Sequence, residues 1–146
     1  METSGAPQRL RGTTSWLLGQ TTTHAQRLVS EALGAVGARR YHYSLLAALA
    51  EFGPASQADL GRRGGLDRSD VVATVNELEG KGFVERRPDP GDKRRNIVTV
   101  TPSGEAHLRH LDRVLGQAQE SLLAPLSTAE REELARMLNA VLEHHG

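Results

Sequence analysis

The stretch FVERRPDPGDKRRNIVTVTPSG, residues 83–104, decides the fold of this chain. Two β-like runs, 83–87 and 96–101, flank a turn at 89–92 that contains Pro and Gly. A helix start follows at once, with Thr101 as N-cap and Pro102 at the first position. Five basic side chains lie within ten residues: Arg86, Arg87, Lys93, Arg94 and Arg95. The stretch therefore predicts a positively charged β-hairpin, a shape suited to lying along the phosphate backbone of DNA.

Two short helical patterns, joined by a glycine turn, precede this hairpin. The first opens at Ser56 and Asp59, a spacing that resembles a capping box, and ends at Gly64 and Gly65. The second opens at Asp67 in the same way and runs to about residue 81. The order of helix, turn, helix and hairpin predicts a winged helix-turn-helix, in which the second helix enters the major groove.

The second of these helices has two distinct faces at about 100° per residue. Val71, Val72, Val75 and Leu78 cluster on one side and are expected in the core. The opposite arc is small and polar, and from it and the helix start we predict the major-groove contacts: Arg68, Ser69, Asp70, Ala73 and Asn76. Asn76 could read adenine bidentately, while Asp70 could accept from cytosine or support the helix start. The alternative is an amphipathic helix with a solvated face.

The remaining DNA contacts are predicted from the basic hairpin and from the first helix of the helix-turn-helix. Contacts to the DNA backbone are assigned to Ser56, Gln57, Arg63, Arg86, Lys93 and Arg95. Arg94, near the hairpin tip, is the candidate for a narrow minor groove, whose enhanced negative potential attracts arginine. Three residues are expected to shape the turn: Asp89, Pro90 and Asp92. The alternative is a solvated basic turn without a partner.

Composition limits the other classes of function. The chain has 146 residues and no net charge, yet residues 105–146 carry four basic against seven acidic side chains, so the positive charge is local. Cysteine is absent, and no apolar run approaches the roughly 20 residues that span a membrane. No nucleophile elbow, P-loop or HExxH motif is present. We therefore expect a cytoplasmic protein in which residues 1–12 are disordered and a mainly helical domain follows. We expect no enzymatic activity, no cofactor and no membrane association.

The chain resembles the MarR family of bacterial transcription regulators. The resemblance rests on LAALAEFGPASQADL (46–60), LDRSDVVATVNELEGKGFVERRPDPGDKRRN (66–96) and VTVTPSGEA (98–106). It implies a fold that is mainly α with a small β-hairpin wing, in which a lobe at 38–101 binds double-stranded DNA. Helices at 13–37 and 102–146 would form a dimerisation domain, and their apolar surface exceeds what one small domain needs. The resemblance further implies a homodimeric repressor of a pseudopalindromic operator that a small, often phenolic or aromatic, ligand releases.

Two further sites remain open at this point. A ligand crevice could be lined by the polar aromatic side chains Trp16, His24, Tyr41, His42 and Tyr43, although core packing would explain Trp16 and Tyr43 equally well. His107 and His110 could join His24 on a metal, which would make the protein a metal-responsive regulator; our prediction is no metal site. The other alternative is a winged-helix module that binds a ligand or a protein and no DNA.

Overall fold

The computed structural model describes residues 5–146, which form two compact units. One consists of the chain up to Val29 together with Gly116–Gly146, and the other is Ser30–Leu115. The boundaries between the units fall inside two long helices. In the second of these helices, Leu111 and Val114 lie just before the boundary and are buried as part of the second unit.

The second unit contains the helix-turn-helix and the hairpin. Its elements are the end of α2 (Thr14–Gly34), α3 (Arg40–Phe52), β1 (Ala55–Ser56), α4 (Gln57–Gly64), α5 (Arg68–Gly80), β2 (Val84–Asp89), β3 (Asp92–Val100) and the first part of α6 (Pro102–Leu122). Between α4 and α5, Gly65 adopts φ 63° and its N–H bonds to the carbonyl of Gly61. A left-handed residue of this kind closes a helix at least cost when it is glycine. The predicted winged helix-turn-helix is confirmed.

The three strands form one antiparallel sheet in the order β1-β3-β2. β1 was not expected: it pairs Ala55 with Val98 and Ser56 with Ile97. A strand of this length has no sequence period and exists only because β3 supplies its partner. The hairpin strands are also longer than expected, leaving only Pro90 and Gly91 between Asp89 and Asp92. Arg86 and Arg87 therefore lie on paired residues of β2, while Lys93, Arg94 and Arg95 lie on β3 where the register shifts.

Each helix and strand of the second unit contributes to its core. α5 contributes Val71, Val75 and Leu78, as its helical wheel predicts, and also the buried Thr74. Val72 departs from the expectation, since it is only half-buried. Its position, about 100° from Val71, places it at the edge of the core face rather than inside it. Other fully buried side chains are Leu33, Leu46, Leu49, Val84, Val98 and Leu111.

The first unit contains α1 (Gln8–Arg11), the start of α2, the end of α6 and α7 (Thr128–His145). α1 lies within the stretch that we expected to be disordered. Pro7, the residue before the helix, is extended, and the Gln, Arg and Leu that follow favour helix. Residues 1–4 lie outside the described residues. Ser127 and Glu130 form a capping box at the start of α7. Arg131 closes the preceding turn, because its Nε donates to the carbonyls of Leu123 and Leu126 at 3.2 and 3.1 Å.

Candidate nucleic-acid interface

The exposed face of α5 forms an open depression in the surface. Its volume is 730 Å³ and its lining comes from the first three turns of the helix and the residue before it: Asp67, Arg68, Ser69, Val72, Ala73 and Asn76. Four of the five predicted major-groove residues are exposed there, and the fifth, Asp70, is half-buried in the first turn. A carboxylate in that position interacts favourably with the positive end of the helix. Asp67 and Val72 line the depression and were not among the predicted contacts.

Polar side chains fix the turn of the hairpin. Asp89 Oδ1 accepts from the N–H of Gly91 at 2.9 Å. Asp92 Oδ1 accepts from both the backbone N–H and the Nε of Arg94, at 3.1 and 3.2 Å. The side chain of Arg94 is nonetheless 91% exposed, and Lys93 and Arg95 are exposed beside it. The turn therefore holds the base of the Arg94 side chain while its terminal donors face solvent.

A second cavity, of 690 Å³, lies between the hairpin, α4 and the start of α5; we call it the arginine groove. Its basic lining residues come from three elements: Arg62, Arg68, Arg94 and Arg95. Arg62 pairs with Asp59 and was not among the predicted contacts. Arg63 was among the predicted contacts, but its guanidinium lies 4.9 Å from the ring centre of Phe52. Helical spacing is the signal that could have found Arg62, since it lies four residues after Ala58 on the same groove-lining face.

Arg86 is occupied by protein contacts and does not lie in the arginine groove. Its Nη2 donates to Asn76 Oδ1 at 2.7 Å and to Glu79 Oε1 at 3.1 Å, and its Nη1 donates to Gln57 Oε1 at 3.3 Å. The side chain is 23% exposed. It therefore ties β2 to α4 and α5, and we remove it from the predicted phosphate contacts. Gln57 is half-buried and is partly committed to the same network.

Ser56 is also removed from the predicted phosphate contacts. It is 3% exposed, and its hydroxyl oxygen accepts from the N–H of Asp59 at 3.2 Å. This is the N-cap of α4, which satisfies one of the free N–H groups at the helix start. The serine was correctly expected to cap the helix, but burial in that role leaves its hydroxyl unavailable to a phosphate.

His42 is buried and both of its ring nitrogens have partners. Nδ1 accepts from the N–H of Arg39 at 3.1 Å, and Nε2 lies 2.6 Å from Glu77 Oε2. Arg39 Nη2 reaches the other oxygen of Glu77 at 3.2 Å. The hydrogen bond from His42, followed by the charge of Arg39, lowers the pKa of the Glu77 carboxyl. His42 therefore ties the start of α3 to α5, and we withdraw it from the ligand candidates.

The other ligand candidates fall in both units. Trp16 is half-buried and His24 exposed, both on the part of α2 that belongs to the first unit. On α3, Tyr41 lies beside Arg40, and the hydroxyl of Tyr43 donates to Asp112 Oδ1 at 2.8 Å. This hydrogen bond is the main cause that raises the pKa of Tyr43. The ligand site remains a prediction.

The histidines considered for metal binding have other surroundings. The ring of His107 stacks on that of Phe83, with centroids 4.1 Å apart and planes 8° from parallel. Burial, followed by the charge of His110, lowers the pKa of His107. Among residues 5–146, no group of three His, Asp or Glu side chains could hold a metal ion.

The fold and this surface define a class, the winged-helix transcriptional regulators. The model of the MarR family matches residues 37–95. The transcriptional repressor NicR of Pseudomonas putida is 33% identical over 98 residues, which are 67% of this chain. The chain belongs to the MarR family. It spans 62% of the length of NicR and 54% of the length of the regulator YcgE of Bacillus subtilis.

Solved structures agree with this assignment along most of the chain. A protein of Pseudomonas aeruginosa described as a probable transcriptional regulator is 30% identical, with a TM-score of 0.77 over 91% of this chain and 99% of its own. A mutant of MarR from E. coli in complex with operator DNA is 25% identical, with a TM-score of 0.73 over 88% of this chain and 92% of its own. None of the helices within residues 5–146 is long and apolar enough to cross a membrane.

Proposed function

We propose that this transcriptional regulator binds double-stranded DNA with α5 in the major groove and the wing, β2 and β3, beside it. The single observation that carries the proposal is that Arg68 lines both the depression on α5 and the arginine groove. A duplex that placed bases against the depression would bring phosphates to the adjoining groove, where Arg62 and Arg95 lie. A MarR of E. coli with a similar fold is solved in complex with operator DNA, which supports DNA binding by this chain.

The proposed contacts follow from exposure and from the partners that each side chain already has. Base edges are read by Ser69, Ala73 and Asn76, with Arg68 at the helix start within reach of a base or a phosphate. Arg94 enters the minor groove, and Arg62, Lys93 and Arg95 contact phosphates. Asp70 lies in the first turn of α5, and its main role is to stabilise the start of that helix.

We also propose that the chain acts as a homodimer. α7 buries none of its residues within the chain, and four of its large apolar side chains are 37–68% exposed: Met137, Leu138, Val141 and Leu142. Leu10, Leu17 and Leu18 of the same unit are exposed as well. A two-fold dimer would cover this surface and would place two α5 helices on half-sites related by the same symmetry, as a pseudopalindromic operator requires.

Repression and release by a ligand complete the proposal. NicR, named as a repressor, supports repression. The family resemblance supports an aromatic or phenolic effector, and its candidate contacts within the second unit are Tyr41 and Tyr43. Replacing Tyr41 by Phe should raise the effector concentration that releases DNA, because a phenol hydroxyl is a specific hydrogen-bonding group in an otherwise apolar site. Release assays with a panel of hydroxylated aromatic acids test this.

Binding to the DNA upstream of the chain's own gene tests the central claim. The folded protein should shift that duplex at moderate salt in preference to a duplex of scrambled sequence. Arg94→Ala should weaken binding to both duplexes and reduce the slope of log K against log salt by about 1, because one phosphate-region cation is lost. Arg109→Ala, which removes an exposed charge of α6, is the matched control and should leave the slope unchanged.

The competing interpretation is a winged-helix module that binds a ligand or protein and no DNA. That interpretation does not explain why Lys93, Arg94 and Arg95 are exposed together or why the exposed face of α5 is polar. A folded dimer that shows no sequence-dependent shift, or an Arg94→Ala variant with the wild-type salt slope, would favour that module over a DNA-binding regulator.

A further inference from the structure

We propose that α5 reads a thymine in each half-site through Asn76 and Val72, and that Arg86 sets this preference by fixing the orientation of the Asn76 amide. The inference rests on the proposed DNA binding and makes it more specific. It replaces the bidentate reading of adenine that the sequence suggested for Asn76.

The contact between Arg86 and Asn76 determines which end of the amide can meet DNA. Arg86 Nη2 lies 2.7 Å from Asn76 Oδ1. A guanidinium has only donors, so chemistry requires that the amide atom facing it is the oxygen. A bidentate pair with adenine needs that same oxygen to accept from the adenine N6 group, and Arg86 therefore competes with adenine. The Asn76 NH₂ group remains, and it can only donate.

Arg86 is held firmly enough to act as a positioning residue. Besides Asn76, it donates to Glu79 Oε1 at 3.1 Å and to Gln57 Oε1 at 3.3 Å. These partners belong to α5 and α4, while Arg86 itself lies on β2. A planar guanidinium with bonds in several directions has little freedom to rotate away. The orientation of the Asn76 amide is therefore set from within the protein before DNA binds.

An apolar surface lies directly beside this donor. Val72 is one helical turn before Asn76 and is half-buried, and Ala73 next to it is exposed. All three line the same depression. In the major groove, thymine presents the O4 acceptor beside a C5-methyl group, guanine presents two acceptors and no methyl group, and cytosine presents a donor. A donor flanked by Val72 and Ala73 fits thymine.

The first test compares thymine with deoxyuridine, which differ only in the methyl group. The full chain would select its preferred site from a pool of randomised duplexes, and each thymine of that site would then be replaced by deoxyuridine. We expect one thymine per half-site at which the replacement weakens binding about fourfold, the effect of losing one buried methyl group. Val72→Ala should abolish that difference at this thymine and leave the other positions as they are.

The second test addresses the amide and its orientation. Asn76→Asp, which keeps an oxygen for Arg86 but replaces the donor by an acceptor, should shift the preference at this position from thymine to cytosine. Arg86→Gln should bring adenine to within about twofold of thymine there, because the amide becomes free to turn. Glu79→Gln, which leaves the contact between Arg86 and Asn76 in place, is the matched control and should keep the thymine preference.

The outcomes separate this inference from the proposed function. Failure of the wild-type chain to enrich any sequence overturns DNA reading altogether. An enriched site at which no thymine responds to deoxyuridine, or at which Arg86→Gln weakens all sequences equally with an unchanged base preference, overturns the inference alone. If Arg86→Gln does not fold, the Asn76→Asp exchange and the deoxyuridine comparison decide the matter.

Discussion

Gly104 lies where the first turn of α6 packs against the base of the wing. Thr101 caps α6: its hydroxyl accepts from the N–H of Gly104 at 3.0 Å and donates to the carbonyl of Gly82 at 2.7 Å. This brings the first turn of α6 against the base of the wing. A Cβ on Gly104 would overlap the carbonyl oxygen of Phe83 and lie 2.8 Å from Val100 Cγ2. The requirement for glycine there is steric.

We predict that Gly104→Ala destabilises the chain by roughly 2–3 kcal/mol, since overpacking against a backbone carbonyl cannot be relieved by a rotamer change. The measurement is the free energy of unfolding in urea. Gly80→Ala is the control: Gly80 is also helical and belongs to the same unit, but its Cβ would meet nothing within 4 Å. That variant should be unchanged or slightly more stable. Equal stability of the two variants would contradict the steric explanation.

At the scale of elements, the tie between α3 and α5 depends on the charge of Glu77. Its carboxylate accepts from buried His42 and pairs with Arg39, and its pKa is lowered, mainly by the hydrogen bond from His42. A carboxyl whose pKa is lower in the folded state contributes stability above its unfolded pKa and loses it as the pH falls through the folded pKa. The unfolded value is about 4.3.

We therefore predict that wild type exceeds Glu77→Gln in stability at neutral pH and that this difference shrinks as the pH falls below about 4. Urea unfolding at a series of pH values measures it. Glu51→Gln, a change at an exposed position of α3, is the control and should track wild type throughout. A gap between wild type and Glu77→Gln that stays the same from neutral to acidic pH would contradict the assigned role.

Individual elements differ in how far the sequence could predict them. The caps of α4 and α6 and the glycine turn between α4 and α5 follow from local chemistry, and their positions were predicted well. β1 was missed because two residues carry no period, and it forms only against β3. The hairpin strands were predicted too short, because Lys93, Arg94 and Arg95 are polar on both faces. They lie where the register shifts, between the pairs Asp89–Asp92 and Pro88–Asn96, and carry no strand period.

At the scale of the whole molecule, the exposed apolar side chains of α7 predict assembly. Leu142→Glu should convert a dimer into monomers, because a charge would replace an apolar group in both copies, at a cost of roughly 3 kcal/mol or more for the pair. Sedimentation velocity at micromolar protein measures this. Glu143→Ala, next to it and exposed, should leave the dimer intact. A wild-type chain that sediments as a monomer would remove the dimer from the proposed function.

The sequence by itself determined the class of fold, the order of the helix-turn-helix and the hairpin, and the surface at which DNA is expected. These follow from local signals: helical period, caps, turn residues and a concentration of positive charge in an otherwise neutral chain. Only the tertiary structure decided which polar residues are available. It placed Ser56 in a buried cap, paired Arg86 with Asn76, and committed both nitrogens of His42. The reason is physical: a side chain has few hydrogen-bonding groups. Those of Arg86 and His42 Nε2 are occupied by partners on other elements, and packing buries Ser56 beside its local partner.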